Sequence, residues 1–200
     1  MAAIDLKKVY RDHYTAKDAP GVVEVPARPY LMIDGEGDPN TSKAYSDAVA
    51  TLYPLAYGIR KALKDATGDA YTVMPLEGLW WVEDMAQFTV EDKSGWQWTA
   101  MILQPEAVTP GLAAEIIPLV TAKKDLPSVA RLELFGDGLA AQVLHRGPYA
   151  DEAPTIERLH AYIEAEGFRL TGKHHELYLT DPRKSAPAKN RTIIRQPVVG

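Results

Sequence analysis

The stretch 139–149 reads Leu-Ala-Ala-Gln-Val-Leu-His-Arg-Gly-Pro-Tyr, an apolar strand that ends in a turn marked by glycine and proline. Apolar residues recur at helical spacing from about 152 to 166, which predicts a helix after that turn. Two further apolar and aromatic runs, 174–180 and 192–198, predict strands. The order of elements is therefore strand, helix, strand, strand.

The same order occurs about 110 residues earlier in the chain. A strand at 28–33 leads through a glycine-marked turn into a helix at 42–63, and further strands follow at 73–83 and 96–103. One apolar stripe with spacings of 4, 3, 4, 3 and 4 marks that helix: Tyr45, Val49, Leu52, Ala56, Ile59 and Leu63.

We therefore expect a single α+β domain over residues 1–200, built from two such units at about 22–105 and 130–198. Units placed side by side leave a cleft along their seam, which is a usual place for a ligand. Between the units, 111–123 predicts a helix, and Gly136-Asp-Gly138 predicts a tight hairpin between the strands on either side.

The composition excludes several classes of protein. The chain has no cysteine, which rules out disulfide frameworks, thiolate nucleophiles and cysteine-bound metals. No run of 18 apolar residues is present and the first residues lack a signal-peptide pattern, so we expect no membrane contact and a cytoplasmic location. Five histidines include no His-x-x-x-His pair, so we expect no metal and no cofactor.

The net charge of −5 argues against binding to nucleic acid. Residues 181–200 are an exception, because their basic side chains outweigh Asp181. We expect this segment to be a charged tail that lies solvated over the fold. Its basic residues are Arg183, Lys184, Lys189, Arg191 and Arg195.

A glycine-rich turn and the aromatic residues are the remaining chemical features. Gly35-Glu-Gly37 resembles the start of a dinucleotide loop, but Asn40 stands where the third glycine belongs. Trp96 and Trp98 alternate along one predicted strand and therefore share a face. Tyrosines one helical turn apart, at 53 and 57, add to the aromatic content of the first unit.

Alternation along 174–180 places acidic and aromatic side chains on one face of a strand. We expect Leu177 and Leu179 to face the helices, so that Glu176 and Tyr178 face the open side of the sheet. A carboxylate among rings suits flat, amphipathic or cationic ligands. Partial burial would raise the pKa of Glu176 and make it a general acid or base. The alternative is a solvated Glu176 with the tryptophans in the core.

Trp80 and Trp81 are adjacent on a predicted strand, so only one of them can line the cleft. Side chains alternate between the two faces of a strand, so Trp81 would share a face with Glu77 and Leu79. A bulge at Gly78 would reverse this arrangement. We take Trp81 as the cleft residue.

Several segments carry a family resemblance: 145–151 (His-Arg-Gly-Pro-Tyr-Ala-Asp), 174–183 (His-His-Glu-Leu-Tyr-Leu-Thr-Asp-Pro-Arg) and 192–197 (Thr-Ile-Ile-Arg-Gln-Pro). The segments 32–40 (Met-Ile-Asp-Gly-Glu-Gly-Asp-Pro-Asn) and 75–84 (Pro-Leu-Glu-Gly-Leu-Trp-Trp-Val-Glu-Asp) agree. Together they resemble GyrI-like small-molecule-binding proteins, in particular the stand-alone subgroup. The resemblance spans nearly the whole chain.

The resemblance implies two strand–helix–strand–strand (SHS2) modules related by a pseudo-twofold axis, with a ligand cleft between them. In ligand domains of multidrug-responsive activators, a glutamate on the late core strand meets cationic, aromatic drugs, and the matching position here is Glu176. Tyr149 of the Gly-Pro-Tyr turn would line the same cleft. Those activators carry a separate DNA-binding domain for which this chain has no room, so we expect no direct contact with nucleic acid.

Three functions stay open. The first is a protein that senses or sequesters an aromatic, amphipathic or cationic small molecule. The second is a hydrolase that opens the activated cyclopropane of DNA-alkylating natural products, as some stand-alone relatives do. The third is an interaction module that inhibits another protein.

For the hydrolase, Glu176 would be the base and Tyr149 the donor, with Tyr53 or Tyr178 as alternative donors. Trp81 or Trp98 would stack on the ligand. The expected catalytic residues are therefore Glu176 and Tyr149. The full expected ligand-binding set is Tyr53, Tyr57, Trp81, Trp98, Tyr149, Glu176 and Tyr178.

Overall fold

The computed structural model describes residues 3–89, 92–181 and 185–200. In these ranges four α-helices form: α1 (Leu6–Val9), α2 (Lys43–Thr67), α3 (Pro110–Lys124) and α4 (Ala153–Ala165). The strands are β1 (Gly21–Val25), β2 (Arg28–Glu36), β3 (Glu77–Trp81), β4 (Gln97–Leu103), β5 (Arg131–Phe135), β6 (Gly138–Arg146), β7 (Arg169–Leu170), β8 (His174–Tyr178) and β9 (Arg191–Val199). Short 3₁₀ turns lie at Met85–Gln87, Tyr149–Asp151 and Pro187–Lys189.

The strands form a curled antiparallel sheet in the order β1-β6-β9-β8-β3-β4-β2-β5, with β7 added beside β9. The fold is therefore mixed α and β, and both predicted runs of strand, helix, strand, strand are present, as β2-α2-β3-β4 and β6-α4-β8-β9. The two runs meet where β3 pairs with β8.

Helices α2 and α4 lie on the same face of the sheet. Tyr45 of α2 contacts Trp80, which pairs with His174 across the β3–β8 ladder. Glu176, two residues further along β8, pairs with Ile194, and Ile194 packs in one cluster with the apolar residues of α4. The space between the two helices therefore lies over the middle of the sheet.

Helix α2 follows its predicted pattern closely. Ser42 caps it by accepting a hydrogen bond from the Tyr45 amide, and Gly68 ends it in the left-handed conformation with φ of 81°. The later members of the predicted stripe, from Leu52 to Leu63, are buried. The first two, Tyr45 and Val49, are only half-buried. In the part of the chain that the structure describes, no helix has the length and apolar character needed to cross a membrane.

The predicted hairpin between β5 and β6 is wrong. Strand β5 pairs with β2 and β6 pairs with β1 and β9, so the two strands lie toward opposite ends of the sheet order. A Cβ at Gly136 would lie 2.5 Å from the Ala27 backbone nitrogen, so the β5–β6 connection packs tightly against the β1–β2 connection. Asp137 turns its carboxylate inward to Arg195 and His175 instead of closing a tight turn.

The prediction of a solvated basic tail is wrong for 192–198 and Arg195, whereas Lys189 and Arg191 are exposed as expected. Strand β9 lies between β6 and β8, and Arg195 in it is 1 % exposed. Residues 192–198 form a buried strand, as their apolar pattern predicted, although the strand contains a charged residue. Burial of the charge is possible because the Arg195 guanidinium donates to buried acceptors. Arg183 and Lys184 lie outside the described residues.

A buried polar network covers the sheet face opposite α2. His175 Nδ1 lies 2.8 Å from Asp137 Oδ2, and His175 Nε2 lies 3.1 Å from Glu77 Oε2. Arg195 donates to Asp137 at 3.2 Å, and Tyr14 donates to Glu77. These groups neutralise one another, which allows charged side chains to lie within the core.

The network shifts the pKa values of its members in opposite directions. Burial opposes ionisation of Asp137, but the charges of His175 and Arg195 outweigh it and hold the pKa of Asp137 below its ordinary value. Burial also lowers the pKa of His175, but Asp137 and Glu77 outweigh it and raise that pKa overall.

Replacing Asp137 by asparagine should reduce the free energy of unfolding by about 3–5 kcal/mol, since it leaves Arg195 and His175 buried without that counter-charge. Urea denaturation at pH 6 measures the change. The control is Asp65→Asn, whose exposed pair with Lys61 should contribute less than about 1 kcal/mol. Equal effects of the two substitutions would contradict the prediction.

The stability of the wild type should also depend on pH in a definite way. The contribution of Asp137 is present above its unfolded pKa of about 3.9 and is lost as pH falls through its lowered folded pKa. The contribution of His175 is present below about pH 6.5 and is lost as pH rises through its raised folded pKa. In Asp137→Asn, the part of the decrease in unfolding free energy at low pH that comes from this carboxylate should be absent.

Candidate functional site

A cavity of about 560 Å³ lies on the helix-bearing face of the sheet, over the β3–β8 pair. This volume is within the range of sites for drug-sized ligands. Its wall is mainly apolar and aromatic, with a few charged groups. The lining residues are Lys7, Pro39, Asn40, Tyr45, Val49, Tyr53, Val73, Met74, Pro75, Leu76, Trp80, Lys93, Trp96, Tyr149, Glu152, Glu176, Tyr178, Leu179, Thr180 and Asp181.

Packed aromatic rings make one wall of the cavity. Trp80 lies 5.3 Å from Trp96 between ring centroids, and Phe88 stacks on Trp96 at 4.8 Å. Tyr45 from α2 contacts Trp80 at 5.5 Å. Rings held by one another in this way present a preformed flat surface to a ligand.

Trp81 and Trp98, which we expected at the site, do not line this cavity. Strand β3 runs without a bulge, so Trp81 shares the face of Glu77, as parity predicted, but that face is opposite the cavity. Trp81 instead donates to Gln97 and carries Lys173 over its ring. The cavity residue is therefore Trp80.

Trp98 faces the same side as Trp80 but lies beneath the wall. It is 1 % exposed, and Tyr45 packs edge-on against it at 5.1 Å. A Cβ at Gly35 would meet the Trp98 ring at 2.2 Å, so the ring fits only because position 35 is glycine. Trp96, which shares its face as predicted, reaches the cavity instead.

Strand β8 turns His174, Glu176 and Tyr178 toward the face that carries α2 and α4. The expectation that Leu177 faces the helices, and that Glu176 and Tyr178 face the open side of the sheet, is therefore wrong, because Leu177 pairs with Glu77 and points to the opposite face. The reason is that both faces of this central strand are covered, so burial of leucine does not distinguish them. Leu179, beyond the end of β8, does line the cavity on the helix side.

Glu176 is held in place by two donors. His174 Nε2 lies 3.1 Å from Glu176 Oε1, and the Tyr178 hydroxyl donates to Glu176 Oε2 at 2.7 Å. Burial opposes ionisation, but these hydrogen bonds and the charge of Lys93 outweigh it and hold the pKa of Glu176 below its ordinary value. The raised pKa that we expected from burial alone is therefore wrong, and Glu176 is an anion.

A second carboxyl group, Glu152, also lines the cavity, and the sequence analysis missed it. The residue is 4 % exposed and lies immediately before α4. Burial, then the charge of Glu176, raises the pKa of Glu152 to about 10. The sequence offered one sign that Glu152 lies near the site, since it follows Tyr149 of the Gly-Pro-Tyr turn by three residues.

Of the expected tyrosines, three line the cavity and one does not. Tyr53, Tyr149 and Tyr178 reach it, and the rings of Tyr149 and Tyr178 meet at 5.5 Å. Burial and nearby acids, Glu152 first among them, raise the pKa of Tyr149 to about 12. Tyr57 is 57 % exposed and lies in a shallow surface depression one helical turn beyond Tyr53, outside the cavity.

Lys93 is a further cavity residue that sequence reasoning did not single out. Its ammonium lies 4.8 Å from the Trp96 ring centroid, and its charge helps keep Glu176 ionised. In the ranges described above, no group of three or more His, Asp or Glu side chains is arranged to hold a metal ion.

An aromatic cavity that encloses a fixed carboxylate defines a small-molecule-binding domain. The chain belongs to the GyrI-like small-molecule-binding family, whose domain model matches residues 19–199. A comparison with functionally curated proteins gave no significant match.

Three solved structures from Listeria innocua are similar over the whole chain. An uncharacterised conserved protein is 38 % identical, with a TM-score of 0.90, and the alignment covers 98 % of this chain and 100 % of that one. A protein described as a hydrolase is 35 % identical with a TM-score of 0.86, covering 99 % and 100 %. A second protein described as a hydrolase is 35 % identical with a TM-score of 0.83, covering 98 % and 100 %.

Gly78→Ala should reduce the free energy of unfolding by about 1–3 kcal/mol, because overpacking of this kind costs about that much. The new Cβ would lie 2.8 Å from the Trp80 ring, so the ring would have to shift. Urea denaturation measures the loss. The control is Gly21→Ala, where a Cβ meets nothing within 4 Å. Unchanged stability in Gly78→Ala would contradict this account of the wall.

Fluorescence quenching by 9-aminoacridine should depend on Trp80 and Trp96, since their rings line the cavity. The amplitude should fall in Trp80→Phe and in Trp96→Phe. Trp81→Phe is the matched control, and quenching there should be retained because that ring lies on the opposite face. Loss of the signal in the control alone would show that the ligand binds elsewhere.

Proposed function

We propose that this protein hydrolyses a flat, aromatic small molecule that carries a strained, electrophilic ring such as an activated cyclopropane. Water would add to the ring within the cavity. The observation that carries this proposal is the ionised Glu176, fixed by His174 and Tyr178 among aromatic rings. A carboxylate that is both oriented and anionic is a suitable general base for water.

Tyr149 is the expected partner of Glu176 in this reaction. Its ring lies against Tyr178, and its raised pKa keeps the hydroxyl protonated at neutral pH. A protonated hydroxyl can donate a hydrogen bond to the oxygen on which negative charge develops. Trp80 and Trp96 would hold the flat ligand against these groups.

The similar structures support the same class of activity. Two proteins that are 35 % identical to this chain over their full length are described as hydrolases. The cavity supports the choice of substrate, because its apolar, aromatic wall favours a flat ligand over a sugar or a peptide.

Binding without turnover is the second candidate, and the electrostatics of the wall favour it for cations. Glu176 is an anion set beside the rings of Tyr178 and Trp80. This arrangement attracts a flat cation through charge and through the ring faces. The protein would then sequester or sense such a compound.

We further propose that the two halves are duplicated SHS2 modules related by a pseudo-twofold axis, with the cavity at their seam. The strand order supports this, since β6-β9-β8 and β3-β4-β2 mirror each other about the β3–β8 pair. The outer strands β1 and β5 extend the two halves in the same manner.

Glu176→Gln separates the two functions. For a hydrolase, it should reduce turnover of an aryl-substituted spirocyclopropyl cyclohexadienone by about a hundredfold or more, because the general base is lost. Binding of neutral acridine should remain close to that of the wild type. Mass analysis of the product measures turnover as the addition of one water.

The matched control is Glu157→Gln on the exposed side of α4, which should leave turnover unchanged. If the wild type leaves the probe intact but binds 9-aminoacridine, and Glu176→Gln weakens that binding, the protein is a binding protein. Full turnover in Glu176→Gln would overturn the assignment of the base.

A further inference from the structure

Residues 3–18 precede the part of the chain that the family model matches, yet they reach the cavity. Helix α1 places Lys7 on the cavity wall. The Thr72 amide donates to the Ile4 carbonyl oxygen at 2.9 Å, which ties the start of the segment to the chain directly before 73–76. All four residues 73–76 line the cavity. The N-terminal segment therefore supports one wall of the cavity.

The middle of this segment is fastened to the face of the sheet opposite the cavity. The Tyr14 hydroxyl donates to Glu77, and burial and the charge of Glu77 raise the pKa of Tyr14, so the hydroxyl stays protonated. Arg195 donates to the His13 carbonyl oxygen at 2.6 Å. The Gln142 side-chain amide donates to two further carbonyl oxygens of the segment, at 3.3 and 3.2 Å. One stretch of chain therefore contacts both the cavity wall and the buried network.

Few buried side chains hold the segment itself. Of residues 3–18, Leu6 and Tyr14 are buried, and the others are half-buried or exposed. Helix α1 has four residues, too few to be stable by itself. The other walls are firmer, since β3 and β8 are paired on both sides and α2 has 25 residues. Segments with few buried contacts open locally at the lowest free energy, so the N-terminal segment is the wall element that opens first.

We propose that residues 3–18 form a strap that opens as a unit, about its connection to β1, to admit a ligand to the cavity and to release it. The end of the strap next to β1 stays on the sheet, because the Leu144 amide of β6 donates to the Lys17 carbonyl oxygen at 2.8 Å. Opening therefore uncovers the supported wall while the sheet remains intact. The inference rests on the proposed function only in that the cavity takes a ligand.

A strap of this kind controls how fast a ligand enters and leaves, and not how tightly it binds. The ligand exchanges only while the strap is open, so both rate constants are proportional to the open fraction. The hydrogen bond from Tyr14 to Glu77 closes the strap in the free and in the bound protein alike, so its loss cancels from Kd. A side chain that simply contacts the ligand would change Kd instead.

Tyr14→Phe tests the strap, because it removes this hydrogen bond and keeps the ring. The association and dissociation rate constants of 9-aminoacridine should both rise by about ten- to hundredfold, the effect of losing a hydrogen bond to a charged group, while Kd stays within about threefold. Stopped-flow fluorescence measures both rate constants. The variant should fold, because Glu77 keeps its hydrogen bonds with His175 and Tyr30.

The matched control is Tyr10→Phe, the same substitution in the same strap. The Arg28 guanidinium lies 3.8 Å from the Tyr10 ring centroid, a contact that phenylalanine keeps, so both rate constants should match the wild type. Unchanged rate constants in Tyr14→Phe, or a change in Kd carried by one rate constant alone, would overturn the proposal.

Hydrogen exchange observes the opening directly. The Thr72 amide donates to the strap, so its exchange reports release of the strap, and in Tyr14→Phe it should exchange about ten- to hundredfold faster. In both proteins the amides of the β3–β8 ladder should exchange more slowly than Thr72, because the strap opens without the sheet. Equal protection of Thr72 and the ladder in the wild type would show that the segment opens only with the whole fold, and would overturn the proposal.

Labelling of a thiol in the cavity distinguishes failure of the strap from failure of the proposed function, since it needs no affinity for a ligand. The chain has no cysteine, and Met74 is a cavity residue that is 1 % exposed. Met74→Cys should react with N-(1-pyrenyl)maleimide about ten- to hundredfold faster when Tyr14→Phe is added.

The outcomes separate as follows. If 9-aminoacridine binds neither protein but labelling is faster in the double variant, the proposed function is wrong and the strap holds. If 9-aminoacridine binds with unchanged rate constants and labelling is no faster, binding in the cavity holds and the strap is wrong.

Discussion

Strands β3 and β8 pair antiparallel in the middle of the sheet, with Gly78 opposite Glu176 and Glu77 opposite Leu177. This register joins the two halves of the chain and fixes which side chains face each other on both sides. On one face it places Trp80 opposite His174, and Trp80 and Glu176 both line the cavity. On the other it brings Glu77 to His175. A shift by one residue would exchange the two faces, so the cavity and the buried network depend on the same pairing.

The network around His175 explains how this pairing is specified. Buried charged groups add little net stability when paired, but a wrong register would leave Asp137 or Arg195 buried without a partner. Tyr14 links the N-terminal segment to Glu77, and the Arg195 guanidinium donates to the His13 carbonyl oxygen. The residues before β1 therefore take part in closing the face opposite the cavity.

The cavity holds two glutamates whose surroundings differ. Glu176 receives hydrogen bonds from His174 and Tyr178, which favour its anion. Glu152 is buried near that anion, and both burial and the negative charge favour its neutral form. Neither state follows from residue type, because both are glutamates with the same ordinary pKa. The surrounding donors and charges therefore shift the two pKa values in opposite directions.

The sequence alone determined the order of elements, the apolar stripe of α2, the place of Glu176 on a late strand and the family, because these depend on local periodicity and short motifs. It also set the parity of Trp80 and Trp81. Only the tertiary structure decided which of the two alternating sets of side chains faces the cavity. Both faces of β3 and β8 are covered, so hydrophobicity does not distinguish them. The pairing of β5 with β2, the burial of Arg195 and the place of Glu152 on the cavity wall likewise arise from contacts between residues far apart in the chain. Such contacts leave no local signal, because their energies come from partners that only the folded chain brings together.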